Sequence, residues 1–535
     1  MKDAEYRFVT GETPKIFIVD IDFRGVLMKK LGELTARFGD LLLSDISGAE
    51  LDKDISSIVY DTRTKIEKDA AFVCIKGASF DGHEFALEAV KSGAGVLFVE
   101  DDINLDDISG GATGNVTVIK VKDTRKALSL LSAAWFDHPA DKLTTIGLTG
   151  TKGKSTTCYM IKSILEGAGR KCGIIGTIGI VIGEKVYETH NTTPESFLVQ
   201  EYMKMMVDAG CDTLIMEVSS QGLKQSRVYG VIFDIAVFTN LSKDHIGGAE
   251  HKDFEEYVYC KSLLFKQCKK AVVNTDDPHF TDMIKDSTAE IEGFCIDGAA
   301  SADITKKITV IEKASGLTLT KKGGIMGIEF DYAGHFPGKA ALSIPGRFNV
   351  MNALCAITVC SHFTNDTKVI SDALYSVHVR GRLEPVKISD RFTLLIDYAH
   401  NAVALENVLG TLREYEPGRL VCLFGCGGNR SKDRRYEMGE ISSKMADLTV
   451  VTSDNPRYEK PEDIINDILI GVNRGTGKYI TIPDRRDAIR YVIENAEDGD
   501  CILLAGKGNE DYQEIEGVRY HMDEREIIAD IVGGV

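Results

Sequence analysis

The 535-residue chain lacks the marks of secreted, membrane-spanning and general nucleic-acid-binding proteins. Its 12 cysteines form no CxxC pair and fall singly, at positions such as Cys74, Cys158, Cys211 and Cys355. A chain of this size needs no disulfide staples, so reduced thiols are expected. The longest apolar stretch, CGIIGTIGIVIG at 172–183, is short and glycine-rich, well under the ~20 residues a membrane span needs. The N-terminal MKDAEYRFVTGETPKIF carries acids and no apolar core, and is not expected to act as a signal peptide. Basic charge is scarce: Lys+Arg number 63 against 81 Asp+Glu, a net charge of −18. Nothing offsets phosphate repulsion on such a surface, which argues against nucleic acid as a partner. Internal repeats and low-complexity tracts are also missing. A soluble, cytoplasmic protein with no membrane insertion is expected.

What is present is ordinary globular sequence, 43% hydrophobic and 27% charged, too long for one core. From about 50 to 140, short segments such as SSIVYDTR, AAFVCIKG and VTVIKVKD alternate with helical stretches and suggest a small α/β domain. From about 141, KLTTIGLTG, KCGIIGT, DTLIMEVSS, DIAVFTNLS and KKAVVNTDD each run apolar and end small or polar. That pattern describes a parallel sheet with its site along the strand tips. A third block repeats it in FTLLIDYAH, GRLVCLFGCGG, DLTVVTSDNPR and DCILLAGKGNEDY. The expected fold class is α/β with three domains, at 1–140, 141–379 and 380–535. The first 35 or so residues read as an added segment.

The stretch GLTGTKGKSTT (147–157) carries chemistry. Gly150 and Gly153 let backbone N–H groups of Thr151, Lys152 and their neighbours turn toward a phosphate. Lys154 reaches β/γ oxygens, the Ser155 hydroxyl suits Mg²⁺, and Thr156 opens a helix whose N-terminus favours an anion. A strict phosphate loop places glycine at 148, where this chain has Leu148. The variant TGTKGKST is the form seen in the Mur ligases and folylpolyglutamate synthases.

Over roughly 50–530 the chain resembles the Mur ligase family, most closely its tripeptide-forming branch. The resemblance rests on motifs in family order: YDTR, TGTKGKSTT, HNTTPES, MEVSSQGL, FTNLSKDHIG, YCKSLLF, GRFNVMNAL, GRLEPV, DYAHN, FGCGGNR, SDNPR and GKGNEDYQ. It implies a nucleotide-sugar domain, a central phosphate-loop ATPase domain and a Rossmann-like C-terminal domain. It also implies a monomer using ATP as co-substrate and Mg²⁺ as cofactor. Glu217, closing an apolar strand, would be a Mg²⁺ ligand beside Ser155, and His245 a ligand of a second ion. Lys261 lies on a helical pattern with Phe254, Tyr257, Val258 and Leu264, where a lysine usually snorkels to solvent. The resemblance implies instead a carbamylated Lys261 near the metals, with Lys154, Glu217, His245 and Lys261 as the catalytic set. Asn352, Arg382 and Asp397 match positions around the adenosine. Thr62, Arg63 and Ser79 match the uridine region, and Asn191, Thr192, Thr193, Ser219 and Arg227 the peptide end of the UDP-substrate.

For the amino acid, Asp454, Asn455 and Arg457 in TSDNPR follow an apolar strand, an acid suited to an ammonium and a guanidinium to a distal carboxylate. The Arg form marks family members that add meso-diaminopimelate, and Arg430, Gly506 and Glu510 match further contacts. Against this, DHIGGAEH looks more like the lysine-adding branch, and Asn509 stands where many diaminopimelate enzymes have histidine. The implied reaction passes the γ-phosphoryl of ATP to the D-glutamyl carboxylate of UDP-MurNAc-L-Ala-D-Glu. The acyl phosphate is then attacked by the amine of meso-diaminopimelate, or of L-lysine as the alternative. Of other classes, a GTPase would need NKxD where the chain reads VVNTDDP, and GCGGNR is a poor dinucleotide fingerprint because Arg430 replaces its third glycine. A folylpolyglutamate synthase-like ligase and a silent ATP-binding module are the remaining alternatives.

Overall fold

Strands buried on both faces make up most of the core, as apolar runs closed by polar tips require. The computed structural model describes residues 28–77, 80–103, 116–189, 191–243, 246–247, 250–296 and 307–533. The chain divides into two compact units, Met1–Ala127 and Leu128–Val535. In the first, Ile58–Val59, Ala70–Val73, Ala94–Val99 and Thr117–Lys120 form a sheet in chain order, each neighbouring pair parallel. Helix Ala86–Ser92 provides one crossover and ends at Gly93, whose φ of 130° suits glycine. Val59, Phe72 and Leu97 pack with Ala86 and Ala89 of that helix.

The second unit contains two large sheets. The central one orders Lys185–Tyr187, Gly179–Ile182, Cys172–Gly176, Thr213–Glu217, Thr144–Thr149, Phe233–Phe238, Cys268–Asn274, Glu290–Cys295, Ile308–Lys322, Ile325–Ala333 and Gly338–Leu342. From Cys172–Gly176 to Ile308–Lys322 every pairing is parallel. Ile146 and Leu148 point to the face covered by helices Lys154–Gly167 and Arg347–Cys360, while Leu214 and Met216 join the opposite face with Val199, Met203 and Tyr257.

The two antiparallel margins go beyond the sequence expectation of a parallel sheet. The apolar stretch 172–183 folds back at Gly179 (φ 139°), pairing Gly173 with Ile182. At the other margin, 308–342 forms a meander whose strands are half exposed, as an antiparallel sheet open to water permits. The C-terminal sheet orders Glu384–Pro385, Thr393–Asp397, Cys501–Ala505, Leu420–Phe424, Leu448–Val451 and Lys478–Thr481. It is parallel apart from its first strand and covered on both faces. Among the described residues, no helix is long and apolar enough to cross a membrane.

Gly147 shows how tightly the strand before the loop is held. A Cβ there would lie 2.8 Å from ring carbons of Phe233, on the adjacent strand region. Gly147→Val is expected to destabilise the protein by about 1–3 kcal/mol through overpacking, measured by urea unfolding. Phe233→Leu in the same chain should recover part of that loss. Simple additivity of the two substitutions would remove the ring contact as the cause.

Candidate active site

The phosphate loop is shaped by two left-handed glycines with no room for a side chain. Gly150 has φ 149° and a Cβ would fall 2.0 Å from Thr239 Oγ1; Gly153 has φ 84° and would meet Asn352 Oδ1 at 2.4 Å. Asn352 is thereby seated against the loop, accepting from Thr157 Oγ1 at 3.3 Å and donating to Asn349 Oδ1 at 3.1 Å. Two residues the sequence reasoning missed fix the loop from the neighbouring strand tip. Thr239 Oγ1 donates to Lys152 O at 2.8 Å, and Asn240 Oδ1 accepts from Lys152 N at 2.9 Å. Asn240 O also accepts from Thr151 N at 2.8 Å. Their signal was visible in FTNLS, two polar residues closing a buried strand.

Lys154 opens the helix Lys154–Gly167, and its Nζ donates to the carbonyls of Gly150 at 2.8 Å and Thr151 at 3.1 Å. Lys261 does not snorkel. It is 2% exposed, lies 4.6 Å from the Tyr257 ring centre, and its Nζ donates to the same Gly150 carbonyl at 2.9 Å. Tyr257 OH lies 3.1 Å from Thr151 Oγ1, so one helix, Phe254–Ser262, holds both the lysine and the loop. Thr156, next to Ser155, is buried in the first turn of the loop helix.

Glu217 ends its strand 2% exposed, with Oε1 accepting from Ser155 Oγ at 2.8 Å and from Thr177 N at 3.0 Å. Gly176 allows this approach, since a Cβ there would sit 2.4 Å from Glu217 Oε1. A buried hydroxyl and carboxylate converging beside a phosphate loop form the small oxygen set that Mg²⁺ favours. His251, buried and unforeseen, has Nε2 2.9 Å from Ser220 Oγ and its ring 5.2 Å from that of Tyr257. Burial, with Lys224 nearby, holds its imidazole below the ordinary value and therefore neutral at pH 7.

The HNTTPES residues gather on the Glu217 side. Thr193 is fully buried, its hydroxyl donating to Glu217 O at 3.0 Å and accepting from Ser219 N at 2.9 Å. Thr192 Oγ1 lies 2.9 Å from Thr177 Oγ1, which contacts Glu217 Oε2 at 3.2 Å. Arg227 Nη1 donates to Thr193 O at 2.7 Å, and Ser219 caps the helix Ser220–Lys224 by accepting from Gly222 N at 3.0 Å. Asn191 is exposed beside them. In the first unit Thr62 is half-buried, and the Arg63 guanidinium is taken by Asp61, Nη2 to Oδ2 at 2.6 Å. Ser79 and His245 lie outside the described residues.

On the C-terminal sheet, Asp397 accepts from Leu383 N at 2.7 Å and Ala399 N at 2.9 Å. Burial pushes its carboxyl upward, opposed by Arg382, whose guanidinium lies 5.2 Å from the Tyr398 ring centre. These two shape one turn, and no hydrogen bond among the described residues joins them to the phosphate loop. The amino-acid residues do converge. A Cβ on Gly506 would lie 2.8 Å from Asp454 Oδ2, and one on Gly427 would lie 3.5 Å from Arg457 Nη1 and 3.8 Å from Arg430 Cγ. Arg457, at φ 54°, donates from Nη1 to Gly428 O at 2.8 Å and from Nε to Glu514 at 3.2 Å.

Lys507, unforeseen and 0% exposed, ties the pocket together. Its Nζ donates to Asn455 Oδ1 and to Glu510 Oε2, each at 2.9 Å, and Asn455 Nδ2 donates to the same Glu510 oxygen at 2.9 Å. Arg435, also missed, reaches Glu459 from both Nη atoms at 2.8 Å and Asp467 at 2.9 Å. Glu459 in turn accepts from Asn429 N, joining the GGNR and DNPRYE loops.

Three family descriptions match the chain: "Mur ligase family, catalytic domain" at residues 54–136, "Mur ligase middle domain" at 148–360, and "Mur ligase, glutamate ligase domain" at 381–508. A UDP-N-acetylmuramoyl-L-alanyl-D-glutamate–2,6-diaminopimelate ligase of Clostridium perfringens is 40% identical over 494 residues, 91% of this chain and 97% of that protein. The protein of the same name from Caldanaerobacter subterraneus is 41% identical over 481 residues, 90% of this chain and 95% of its own. A solved structure of a ligase of that name superposes with a TM-score of 0.69 at 26% identity, covering 95% of this chain and 99% of its own.

The Glu459 carboxylate carries a prediction. Its hydrogen bonds to Arg435 hold its pKa down at about 2, against an ordinary value of 4.5. A depressed carboxylate contributes stability that is present above 4.5 and lost as pH falls toward 2. Glu459→Gln should lower Tm at pH 7 and shrink the gap to the parent between pH 4.5 and 2. A gap independent of pH would separate this carboxylate from the acid limb.

Proposed function

The chain belongs to the Mur ligase family, and from that premise we propose that it joins meso-diaminopimelate to UDP-MurNAc-L-Ala-D-Glu with ATP, through an acyl phosphate. The observation that carries the proposal is the pairing of two sites within one family framework. One is a phosphate loop faced by Lys154, Lys261, Ser155 and Glu217; the other is a pocket of Arg430, Asp454, Asn455, Arg457 and Glu510 at the tip of the C-terminal sheet. In this proposal 1–140 binds the nucleotide-sugar end, 141–379 binds ATP, and 380–535 delivers the amino acid. The enzyme works as a cytoplasmic monomer.

A carboxylate resists attack by an amine, and phosphorylation converts it into an acyl group with a good leaving group. The loop N–H groups, the helix N-terminus and Lys154 hold and orient the triphosphate for transfer to the D-glutamyl carboxylate. Ser155 and Glu217 would hold Mg²⁺, with His245 and Lys261 as further proposed ligands. Mg²⁺, when bound, supplies charge neutralisation to the transferred phosphoryl group. Carbamylation of Lys261 fits its surroundings: the modification would turn a buried cation facing a second ammonium into an anion. The amine of diaminopimelate then attacks the acyl carbon, and collapse releases phosphate and leaves the amide.

For the amino acid, Asp454 is placed to hold an ammonium and Arg457 a distal carboxylate. Two of the guanidinium donors are fixed by Gly428 and Glu514, and among the described residues Nη2 makes no hydrogen bond. L-Lysine, the alternative substrate, has no distal carboxylate to use it. Phosphate release from ATP with UDP-MurNAc-L-Ala-D-Glu should therefore require meso-diaminopimelate, and L-lysine should replace it poorly. Equal or better turnover with lysine would overturn the assignment of Arg457. Arg457→Ala should raise KM for diaminopimelate by roughly 10- to 100-fold, the scale of losing a hydrogen bond to a charged group, with a smaller change in kcat.

Lys261→Arg keeps a positive charge but cannot be carbamylated, and should lose activity as fully as Lys261→Ala. Activity retained by Lys261→Arg would remove the carbamate from the proposal.

A further inference from the structure

Away from the phosphate loop, four separate segments bring two carboxylates and two imidazoles together. Glu292 comes from the strand Glu290–Cys295 and Glu312 from its parallel neighbour Ile308–Lys322, the two strands slipping register between Ile291 and Gly293. His335 follows the strand Ile325–Ala333, and His362 follows the helix Arg347–Cys360. Glu292 Oε2 faces His335 Nε2 at 3.3 Å and is hydrogen-bonded to His362 Nε2 at 2.9 Å, and the three ligand atoms all lie within 4.8 Å of one another. Lys270 Nζ holds the other oxygen of Glu292 at 2.6 Å. Both carboxylates are almost wholly buried, Glu292 at 2% and Glu312 at 0% exposure.

Three details point to a cation rather than a plain hydrogen-bonded cluster. The first is the outer carboxylate: Glu312 Oε2 lies 3.2 Å from His335 Nδ1 and accepts from the His335 backbone N–H at 3.0 Å. With Nδ1 donating to that carboxylate the Nε2 lone pair turns inward, the arrangement carboxylates give to metal-bound histidines. The second is that His335 Nε2, buried and facing Glu292, makes no hydrogen bond among the described residues, and neither does Glu312 Oε1. The separation of His335 Nε2 from Glu292 nevertheless suits two ligands of one ion, since bonds of 2.0–2.1 Å at tetrahedral angles place ligand atoms about 3.3 Å apart. The third is charge: Glu292 has Lys270 beside it, whereas the fully buried Glu312 has only His335 as its partner among the described residues, and buried charge without a partner is costly.

By contrast, the triad Asp81, His83 and Asp101 of the first unit has both histidine nitrogens in use. Nδ1 lies 2.6 Å from Asp81, and Nε2 accepts from Glu100 N at 3.0 Å.

We propose that Glu292, His335 and His362 form a binding site for a divalent ion of the Zn²⁺ class, with Glu312 orienting His335. The ion is structural. It ties the outer strands of the central sheet to the C-terminal end of the helix whose Asn352 underlies Gly153 of the phosphate loop.

The test uses the full chain, stripped with chelator, reloaded with Zn²⁺ or Co²⁺, and dialysed. The expected result is one retained equivalent, a Co²⁺ spectrum of nitrogen and oxygen ligation without thiolate charge transfer, and a Tm raised by a few degrees with Zn²⁺. His335→Gln and His362→Gln should each lose the retained ion and the Tm response while keeping ligase activity. No retained ion in the unmodified chain, equal retention by both variants, or thiolate charge transfer from its cysteines would overturn the site. Should either variant fail to fold, the spectrum and stoichiometry of the unmodified chain decide alone.

Discussion

Two ammonium groups converge on one carbonyl oxygen, and the active-site half of the molecule is arranged around that constraint. Lys154 and Lys261 each place Nζ within hydrogen-bond distance of Gly150 O, at 2.8 and 2.9 Å. Two unit charges about 5 Å apart repel by roughly 3 kcal/mol at an effective dielectric of 20. Lys261 is also buried, so solvent screens it little. The phosphates of a nucleotide, or a carbamate made from one of the amines, would offset that repulsion. The left-handed Gly150, wedged against Thr239, sets the carbonyl where both lysines reach it. The shape of the loop is thus set through its backbone as much as through its side chains.

That loop is braced by neighbouring strand tips. Thr239 and Asn240 hold Lys152, Asn274 Nδ2 donates to Thr239 O at 2.8 Å, and Asp277 accepts from Leu241 N at 2.7 Å. The VVNTDDP segment, which a guanine-binding reading would have wanted as a base-recognition motif, is therefore a buttress. The sequence made the loop, Glu217 and the apolar strands legible because their signals are local: glycine spacing, a hydroxyl beside a lysine, an acid ending an apolar run. Bracing contacts were not legible, because Asn240 and Asp277 meet their partners only after strands distant in the chain have paired. The meander at 308–342 escaped for a related reason: half-exposed antiparallel strands give weak apolar runs, and the register that joins them is long-range.

The same division holds in the amino-acid pocket. Asp454, Asn455 and Arg457 were readable from a proline-fixed loop after an apolar strand. Lys507 and Arg435 were not, since a lysine in GKGNEDY and an arginine in KDRRYE look like surface charge. Burial changes their meaning. A fully buried ammonium must be surrounded by acceptors, and Lys507 finds them in Asn455 and Glu510, two of the residues read as substrate contacts. Arg435 does the same for the loops carrying Arg430 and Arg457, through Glu459. Lys507 and Arg435 are spent on holding the pocket, whereas Arg430 is exposed and Arg457, at a positive φ, is half-buried.

The two contradictory signals in the sequence can now be weighed by what their residues touch. DHIGGAEH suggested a lysine-adding ancestry, yet its described histidine, His251, packs on Tyr257 of the helix Phe254–Ser262 and on Ser220 of the helix Ser220–Lys224. There it supports the helix that carries Lys261. DNPR sits on the C-terminal sheet, contacting Gly428, Glu514 and, through Asn455, Lys507 and Glu510. Among the described residues, none is shared between the two sets of contacts. Substrate choice is a difference in binding free energy made where the substrates differ, and diaminopimelate differs from lysine only at its distal carboxylate, the group for which Arg457 is proposed as the partner.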